Sequence, residues 1–368
     1  MTKVNYIISG IDKAVFFEHT ALRLRASDID LSFILINCRK SELSGFLKSN
    51  GFTVYFIEAD KLLFSLPQII KCASILRTIK PDAVHCHLAF ANFIGLASSF
   101  LAGIPVRIYT RHSGQLLVPS SKERLLDHIQ NRLSTTIVAI TENTKQLLMS
   151  EGVPESKIKI VHHGFDISRM MNPDIDEVTR IKEAYNPGHK YPVVGVIARW
   201  MKWKGIQYII PAFEQLLHEY PNALLCLFNA SDNADHSAEI HKMLGALPQG
   251  SYRIVHFEKN IYDLYHLFDI YVHVPVNPYC EAFGQTYVEA LAAGVPSIFT
   301  MSGVAREFIT AENAYIVDFQ NSDEIFMYMK AILSKQKDPE VLKRNGQEAV
   351  SRMFSLEQYI STLLSLYR

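Results

Sequence analysis

The chain has 368 residues, 48% hydrophobic and 20% charged, with 37 basic and 37 acidic side chains. That length suits two domains of ordinary size, and that composition excludes a disordered chain. Zero net charge gives no sign of a polyanion partner, so nucleic-acid binding is not expected. Residues 1–180 carry 21 basic and 17 acidic side chains, a mild excess that reads first as ordinary surface variation and is also compatible with an anionic acceptor or a peripheral contact with the inner face of a membrane. Cys38, Cys72, Cys86, Cys226 and Cys280 are scattered and odd in number, without a Cys-x-x-Cys pair, as suits a reducing compartment. The first apolar run, Val4 to Ile8, is too short for a secretory leader, and the longest apolar helix, Phe90 to Leu101, falls short of the ~20 residues that a span requires. The expectation is a cytoplasmic protein.

Residues 4–9 read as a buried strand that runs into Gly10-Ile11-Asp12-Lys13-Ala14, with a helix to about Arg25. Strand-turn-helix is the opening of a Rossmann unit. Gly10 stands alone, however, and without Gly-x-Gly-x-x-Gly an NAD-dependent reading loses its main support. Strands at Leu31–Asn37, Thr53–Glu58 and Ala83–Cys86 then alternate with helices from Ser41, from Leu66 to Ile79 and from Ala89. Such apolar strand runs suit a parallel sheet covered on both faces. His85 and His87 fall on one face of their strand, but no third metal ligand lies nearby in sequence. Gly103 to Gly114 reads as a strand followed by an open loop containing Arg111 and His112. A strand at Thr136–Thr141, a helix ending near Glu151-Gly152, and a strand into His162-His163-Gly164-Phe165-Asp166 complete the first half.

Residues 169–190 are polar, with Pro173, Pro187 and Gly188, and read as a linker with a short helix. A second alternating series starts at Pro192. Its first strand runs to Arg199, and a helix begins near Gly205, with Lys202 and Lys204 in the turn between. Strands at Ala223–Asn229, Arg253–Phe257 and Ile270–Val276 follow, with a helix over His241–Leu247. Then comes the stretch Asn277 to Pro296, with a helix expected from about Gln285 to Ala293 and Gly294 just past its end. Glu281 precedes that helix and Glu289 lies about one turn inside it, among small apolar residues. A helix this apolar is buried, so Glu289 needs polar partners. The amides of Phe283, Gly284 and Gln285 would point out of the helix start, where negative charge or sugar oxygens are welcome. Helices over Asp323–Leu333, Pro339–Met353 and Leu356–Leu366 close the chain.

Glu281-x7-Glu289 beside Phe283-Gly284, with Ala293-Gly294-Val295-Pro296 in register, resembles the signature of retaining, nucleotide-sugar-dependent glycosyltransferases of the GT-B type (glycosyl transferases group 1). Pro81 to His87, Gly103 to Gly114, Ile158 to Asp166, Val194 to Gly205 and Ser302 to Phe308 resemble further segments of that family. The likeness covers nearly the whole chain and is strongest from 193 to 310. It implies an α/β fold of two facing Rossmann-like domains with a cleft between them. Residues 1–170 would form the acceptor domain and 185–350 the nucleotide-sugar domain, with a C-terminal helix, 351–368, crossing back to the first.

The resemblance implies that Glu281 holds hydroxyls of the transferred sugar and that Glu289 holds the nucleotide ribose. By the same likeness Arg199 and Lys204 bind the donor diphosphate, His112 faces the donor sugar, and Gly10 lies close to it. It implies no cofactor and no metal, with the nucleoside-diphosphate sugar as donor and a UDP-sugar favoured over a GDP-sugar. The acceptor it implies is a glycan or lipid-linked glycan, in bacterial surface polysaccharide or lipopolysaccharide synthesis. Three departures are plain. Asp12 or Lys13 stands where the family often has a second glycine, His162-His163 replaces a usual Pro-Asn, and Asn229-Ala230-Ser231 replaces a Gly-rich loop. The roles of Lys13, Arg111, His162 and His163 are left open. Two carboxylates also serve glycoside hydrolysis, a sugar-nucleotide epimerase shares the architecture, and a catalytically silent nucleotide-sugar-binding protein is a further alternative. Glu281-x7-Glu289 together with Arg199 and Lys204 favours transfer over the epimerase, the retention of all four argues against a silent binder, and the nucleotide-binding features argue against hydrolysis.

Overall fold

The computed structural model describes residues 1–59, 66–114, 121–231 and 236–367, the side chains of 121–123 excepted. The chain divides into two compact units, Met1–Phe165 with Leu356–Arg368, and Asp166–Ser355.

The first unit is built on seven parallel strands: β1 (Thr2–Ser9), β2 (Ile29–Ile36), β3 (Thr53–Ile57), β4 (Ala83–His87), β5 (Val106–Arg111), β6 (Thr136–Ala139) and β7 (Ile158–Ile160). Their order is β3-β2-β1-β4-β5-β6-β7. Alternate residues of one strand enter two different cores, because successive side chains point to opposite faces. Val4, Tyr6 and Ile8 pack on one face with Phe33 and Leu35. Ile7 packs on the other with Ile34 and Ile36. Both faces are therefore covered, as the continuous apolar runs require.

The terminal helix, Leu356–Leu366, belongs to this unit, with Tyr359, Ile360 and Leu363 in the same core as Val4 and Tyr6. Just beyond it, the Tyr367 hydroxyl lies 2.6 Å from that of Tyr6 and 2.7 Å from His85 Nδ1. Replacing Tyr367 by Phe strands two buried polar groups at once. It should cost about 1–3 kcal/mol of unfolding free energy, and a urea titration in which the variant matched the parent would refute this.

The second unit has six parallel strands: β8 (Val193–Ile197), β9 (Leu224–Phe228), β10 (Tyr252–Val255), β11 (Ile270–His273), β12 (Ser297–Phe299) and β13 (Tyr315–Ile316). Their order is β10-β9-β8-β11-β12-β13. Chain direction across the sheet reverses between β8 and β11, and open α/β sheets bind ligands beyond the strand ends at such a point. The segments leaving those two strands carry Arg199 and Lys204 on one side and Glu281 on the other.

Two segments differ from their sequence reading. The polar stretch 169–190 is not a linker with one short helix but two helices, Ile167–Met171 and Ile175–Tyr185, and both lie in the second unit. Asp174 caps the second of them through the amides of Asp176 and Glu177, and Val178 and Ile181 supply its buried face. Asp263, wholly buried, ties the pair down by accepting from both terminal nitrogens of Arg169 and from the Asp174 amide. A helix over Ser121–Leu133 was not anticipated, because its turns are dominated by polar residues.

Candidate active site

The turn after β8 sets the first half of the site. Trp200 is wholly buried and anchors it, while Arg199 beside it is exposed and has no side-chain partner among the described residues. A single 3-10 turn, Lys202–Lys204, ends at Gly205, whose φ is +79°. A Cβ there would lie 1.9 Å from the Val274 carbonyl oxygen, so only glycine permits this approach to the chain leaving β11. The Val276 amide donates to the Trp203 carbonyl at 3.1 Å and fastens the two segments together. The approach delivers Lys204 Nζ to within 2.5 Å of Glu281 Oε1, with both side chains largely buried.

Glu281 is held from three directions. Its amide donates to Ser302 Oγ at 3.2 Å. His273, the last residue of β11, places Nε2 3.2 Å from the same carboxylate oxygen that Lys204 holds. Gly284, at φ +89°, turns the chain sharply into the helix Gln285–Ala293, where a Cβ would meet the Tyr287 ring at 2.6 Å. Burial pushes the Glu281 carboxyl up, but the His273 ring nitrogen and the Lys204 ammonium pull it down further, to about 2. It is therefore ionised at any ordinary pH.

Glu289 has the opposite electrostatics. It is buried on the same helix, and among the described residues its one charge-stabilising contact is the Tyr265 hydroxyl, which donates to Oε2 at 2.7 Å. Burial wins over that hydrogen bond and pushes the carboxyl up to about 7. Gly294 ends the helix at φ +77°, its amide donating to the Ala290 and Leu291 carbonyls. Phe283 is buried, with its ring centroid 5.8 Å from that of Phe354, whereas Gln285 is exposed.

In the first unit, His112 follows β5, with Nε2 3.1 Å from His87 Nδ1. Burial pulls its imidazole down to about 4, so the ring is neutral near pH 7. His85 and His87 do share a face, with ring centroids 4.2 Å apart. Both nitrogens of His85 are engaged, by Tyr367 and by Thr110. Arg111, whose role the sequence left open, is buried and holds Asp127 at 2.7 Å and Glu151 at 3.0 Å, so its charge is matched inside the unit. Lys13 pairs with Glu42 at 3.0 Å on the surface. Gly10 adopts φ +60°, and its amide donates to the Ile36 carbonyl at 3.0 Å.

Residues 14–169 match the Glycosyltransferase Family 4 domain model, and residues 177–349 match the Glycosyl transferases group 1 model. The chain carries two glycosyltransferase domains. An uncharacterized glycosyltransferase from Methanocaldococcus jannaschii is 24% identical over 83% of this chain and 80% of its own length. A glycosyltransferase structure from Rickettsia africae superposes with a TM-score of 0.83 at 19% identity, covering 100% of this chain and 97% of that one. The Anabaena protein HepE in complex with UDP-glucose superposes at 0.81 with 18% identity, covering 99% of this chain and 100% of that one. The fold is that of the GT-B glycosyltransferases.

Within the group 1 domain, the structure joins Lys204 to Glu281 directly. Among the described residues no hydrogen bond or ion pair ties Arg199 or Glu289 to that pair. His273 and Tyr265 were missed by sequence reasoning. The signal for His273 was its place at the C-terminal end of a strand, the rule that also applies to His112 in the family 4 domain. Tyr265 had no comparable signal, because its hydroxyl meets Glu289 only through packing between elements 24 residues apart.

Proposed function

We propose that this protein is a retaining glycosyltransferase that moves a sugar from a nucleoside-diphosphate sugar to an acceptor hydroxyl. The observation that carries the reading is the close pairing of Lys204 with an ionised, buried Glu281 at the sheet's switch point. In the reaction, the bond from the anomeric carbon to the phosphate oxygen breaks and a bond to the acceptor oxygen forms on the same face. The acceptor proton passes to the leaving phosphate oxygen, so no covalent enzyme intermediate is required. Negative charge grows on the departing diphosphate, and a guanidinium and an ammonium, Arg199 and Lys204, stabilise it without a metal ion or other cofactor. Glu281, acceptor-only when ionised, takes hydrogen bonds from hydroxyls of the transferred sugar. Glu289 accepts from the ribose, and the helix start at Phe283, Gly284 and Gln285 faces the donor.

UDP is the favoured nucleotide, a preference supported by the UDP-glucose held by HepE. The acceptor is a glycan or lipid-linked glycan, bacterial surface polysaccharide or lipopolysaccharide being the setting that fits the resemblance. Work in the cytoplasm, with peripheral contact at the inner membrane, completes the reading. Among the described residues, no helix is long and apolar enough to cross a membrane.

Calorimetric titration with UDP, GDP and ADP in the presence of EDTA tests the donor site. One of the three should saturate, with UDP tightest. Failure of all three would remove the nucleotide reading, and binding that vanished with EDTA would remove metal independence. Turnover of the matching nucleotide sugar without any partner protein separates an enzyme from a silent binder.

A further inference from the structure

Two nitrogen groups converge on one oxygen atom of Glu281. Lys204 Nζ lies 2.5 Å from Oε1, and His273 Nε2 lies 3.2 Å from the same atom. The lysine makes the hydrogen bond. His273 Nε2 is buried, in a ring only 2% exposed, yet it has no aligned hydrogen-bond partner. The ring has little freedom to find another. Its backbone is paired to Phe299 in the sheet, and the Tyr287 ring packs edge-on at 4.7 Å. A buried ring nitrogen whose nearest acceptor, Glu281 Oε1 at 3.2 Å, is poorly aligned and already taken by Lys204 is incompletely satisfied, and such groups in native structures call for an explanation.

We propose that Lys204 and His273 exchange Glu281 during donor binding: Lys204 holds the carboxylate in the free protein, and His273 takes it over, with a proton, once a diphosphate engages the lysine. The inference rests on the reading of Lys204 as a diphosphate ligand. The balance is simple. The ring takes one proton from solvent and becomes an imidazolium, whose Nε2–H donates to Oε1. The lysine charge is then matched by the diphosphate, and the Glu281 charge by His273. Glu281 thus keeps its place for the sugar hydroxyls through Oε2 while its first partner works on phosphate. His273 is a positioning residue in this scheme, since it acts through Glu281.

Among the described residues, the charged and titratable groups facing His273 come from three elements. Glu281 lies on the segment after β11, Lys204 on the turn after β8, and Tyr287 on the helix Gln285–Ala293, its hydroxyl donating to the Thr300 carbonyl. Burial holds the imidazole below its ordinary range, Glu281 raises it, and the Lys204 charge lowers it again. Neutralising Lys204 therefore leaves Glu281 as the dominant influence besides burial, and the ring's proton affinity rises.

The test is nitrogen-15 NMR of the full chain labelled at histidine, with His273→Gln used to assign the ring signals. In ligand-free protein, Lys204→Met should raise the His273 pKa by about one pH unit or more, a tenfold gain in proton affinity, and Glu281→Gln should abolish that rise. Saturating the parent protein with UDP should move the ring the same way. A merely structural histidine would alter melting in its variant and show neither shift. An unchanged pKa in a folded Lys204→Met protein overturns the inference, as does a ring unmoved by bound UDP. Should the methionine variant fail to melt cooperatively, the UDP titration of the parent decides. If UDP does not bind the parent, the donor reading falls, and the Lys204→Met arm alone decides whether the two side chains compete for Glu281.

Discussion

Lys204→Met should weaken UDP binding by about 10- to 100-fold, the loss of one hydrogen bond between charged groups at about 1.5–3 kcal/mol. The same substitution should destabilise the free protein, because Glu281 is 7% exposed and keeps its charge. Breaking one side of a buried pair costs about 3–5 kcal/mol where no other group compensates. His273 stands 3.2 Å from the carboxylate and compensates in part, so the expected cost at pH 7 is about 2–3 kcal/mol. The pH dependence has a definite sign. Glu281 titrates at about 2 in the folded protein and near 4.3 in an unfolded chain. Its contribution is fully present above about pH 4.3 and is lost as the pH falls toward 2. The gap between parent and variant should therefore close in acid. Urea unfolding at pH 7 and pH 3, with calorimetry at pH 7, measures all three quantities. Equal UDP affinity in the two proteins would sink the diphosphate assignment, and a stability gap that widened in acid would sink the electrostatic account.

Glu289→Gln should flatten the parent's stability profile between pH 5 and pH 8. The Glu289 carboxyl, up at about 7 in the folded protein, binds its proton more tightly than the unfolded chain does near 4.3. The native state holds the extra proton between those values, so stability falls as the pH rises through that window. The fall amounts to about 3 kcal/mol at most. Glutamine carries no such proton and still accepts from Tyr265. The variant should match the parent near pH 5 and exceed it by about 2–3 kcal/mol at pH 8. Nucleotide binding should move the other way, since an amide oxygen is a weaker acceptor for a ribose hydroxyl than a carboxylate. A parent and a variant with parallel profiles from pH 5 to pH 8 would show that the Glu289 carboxyl titrates in the ordinary range.

Both β/α series were legible because each central strand is buried on two faces and reads as an unbroken apolar run. The helix expected from about Gln285 to Ala293, with Gly294 just past its end, spans Gln285–Ala293, and Gly284 and Gly294 bracket it at positive φ. Residues 169–190 were misjudged for the converse reason. Their prolines and charges suggested a connector, while the partner that makes them fold, Asp263, lies 94 residues from Arg169 along the chain. Arg111 shows the same limit, because nothing near it in sequence announces that Glu151, 40 residues away, shares its charge.

The sequence by itself determined the alternation of strands and helices, the glycine turns, and which carboxylates and cations are available. Those are local properties of backbone sterics and side-chain periodicity. Only the tertiary structure decided which of these groups meet. Lys204 and Glu281 are 77 residues apart and touch because Gly205 lets one turn press against the strand exit that carries the other. Their surroundings then set the chemistry: the same side-chain type is held near 2 at Glu281 by two nitrogen groups and lifted to about 7 at Glu289 by burial with one hydroxyl. Protonation depends on desolvation and on the distance to the nearest charge, and both exist only once the chain has folded.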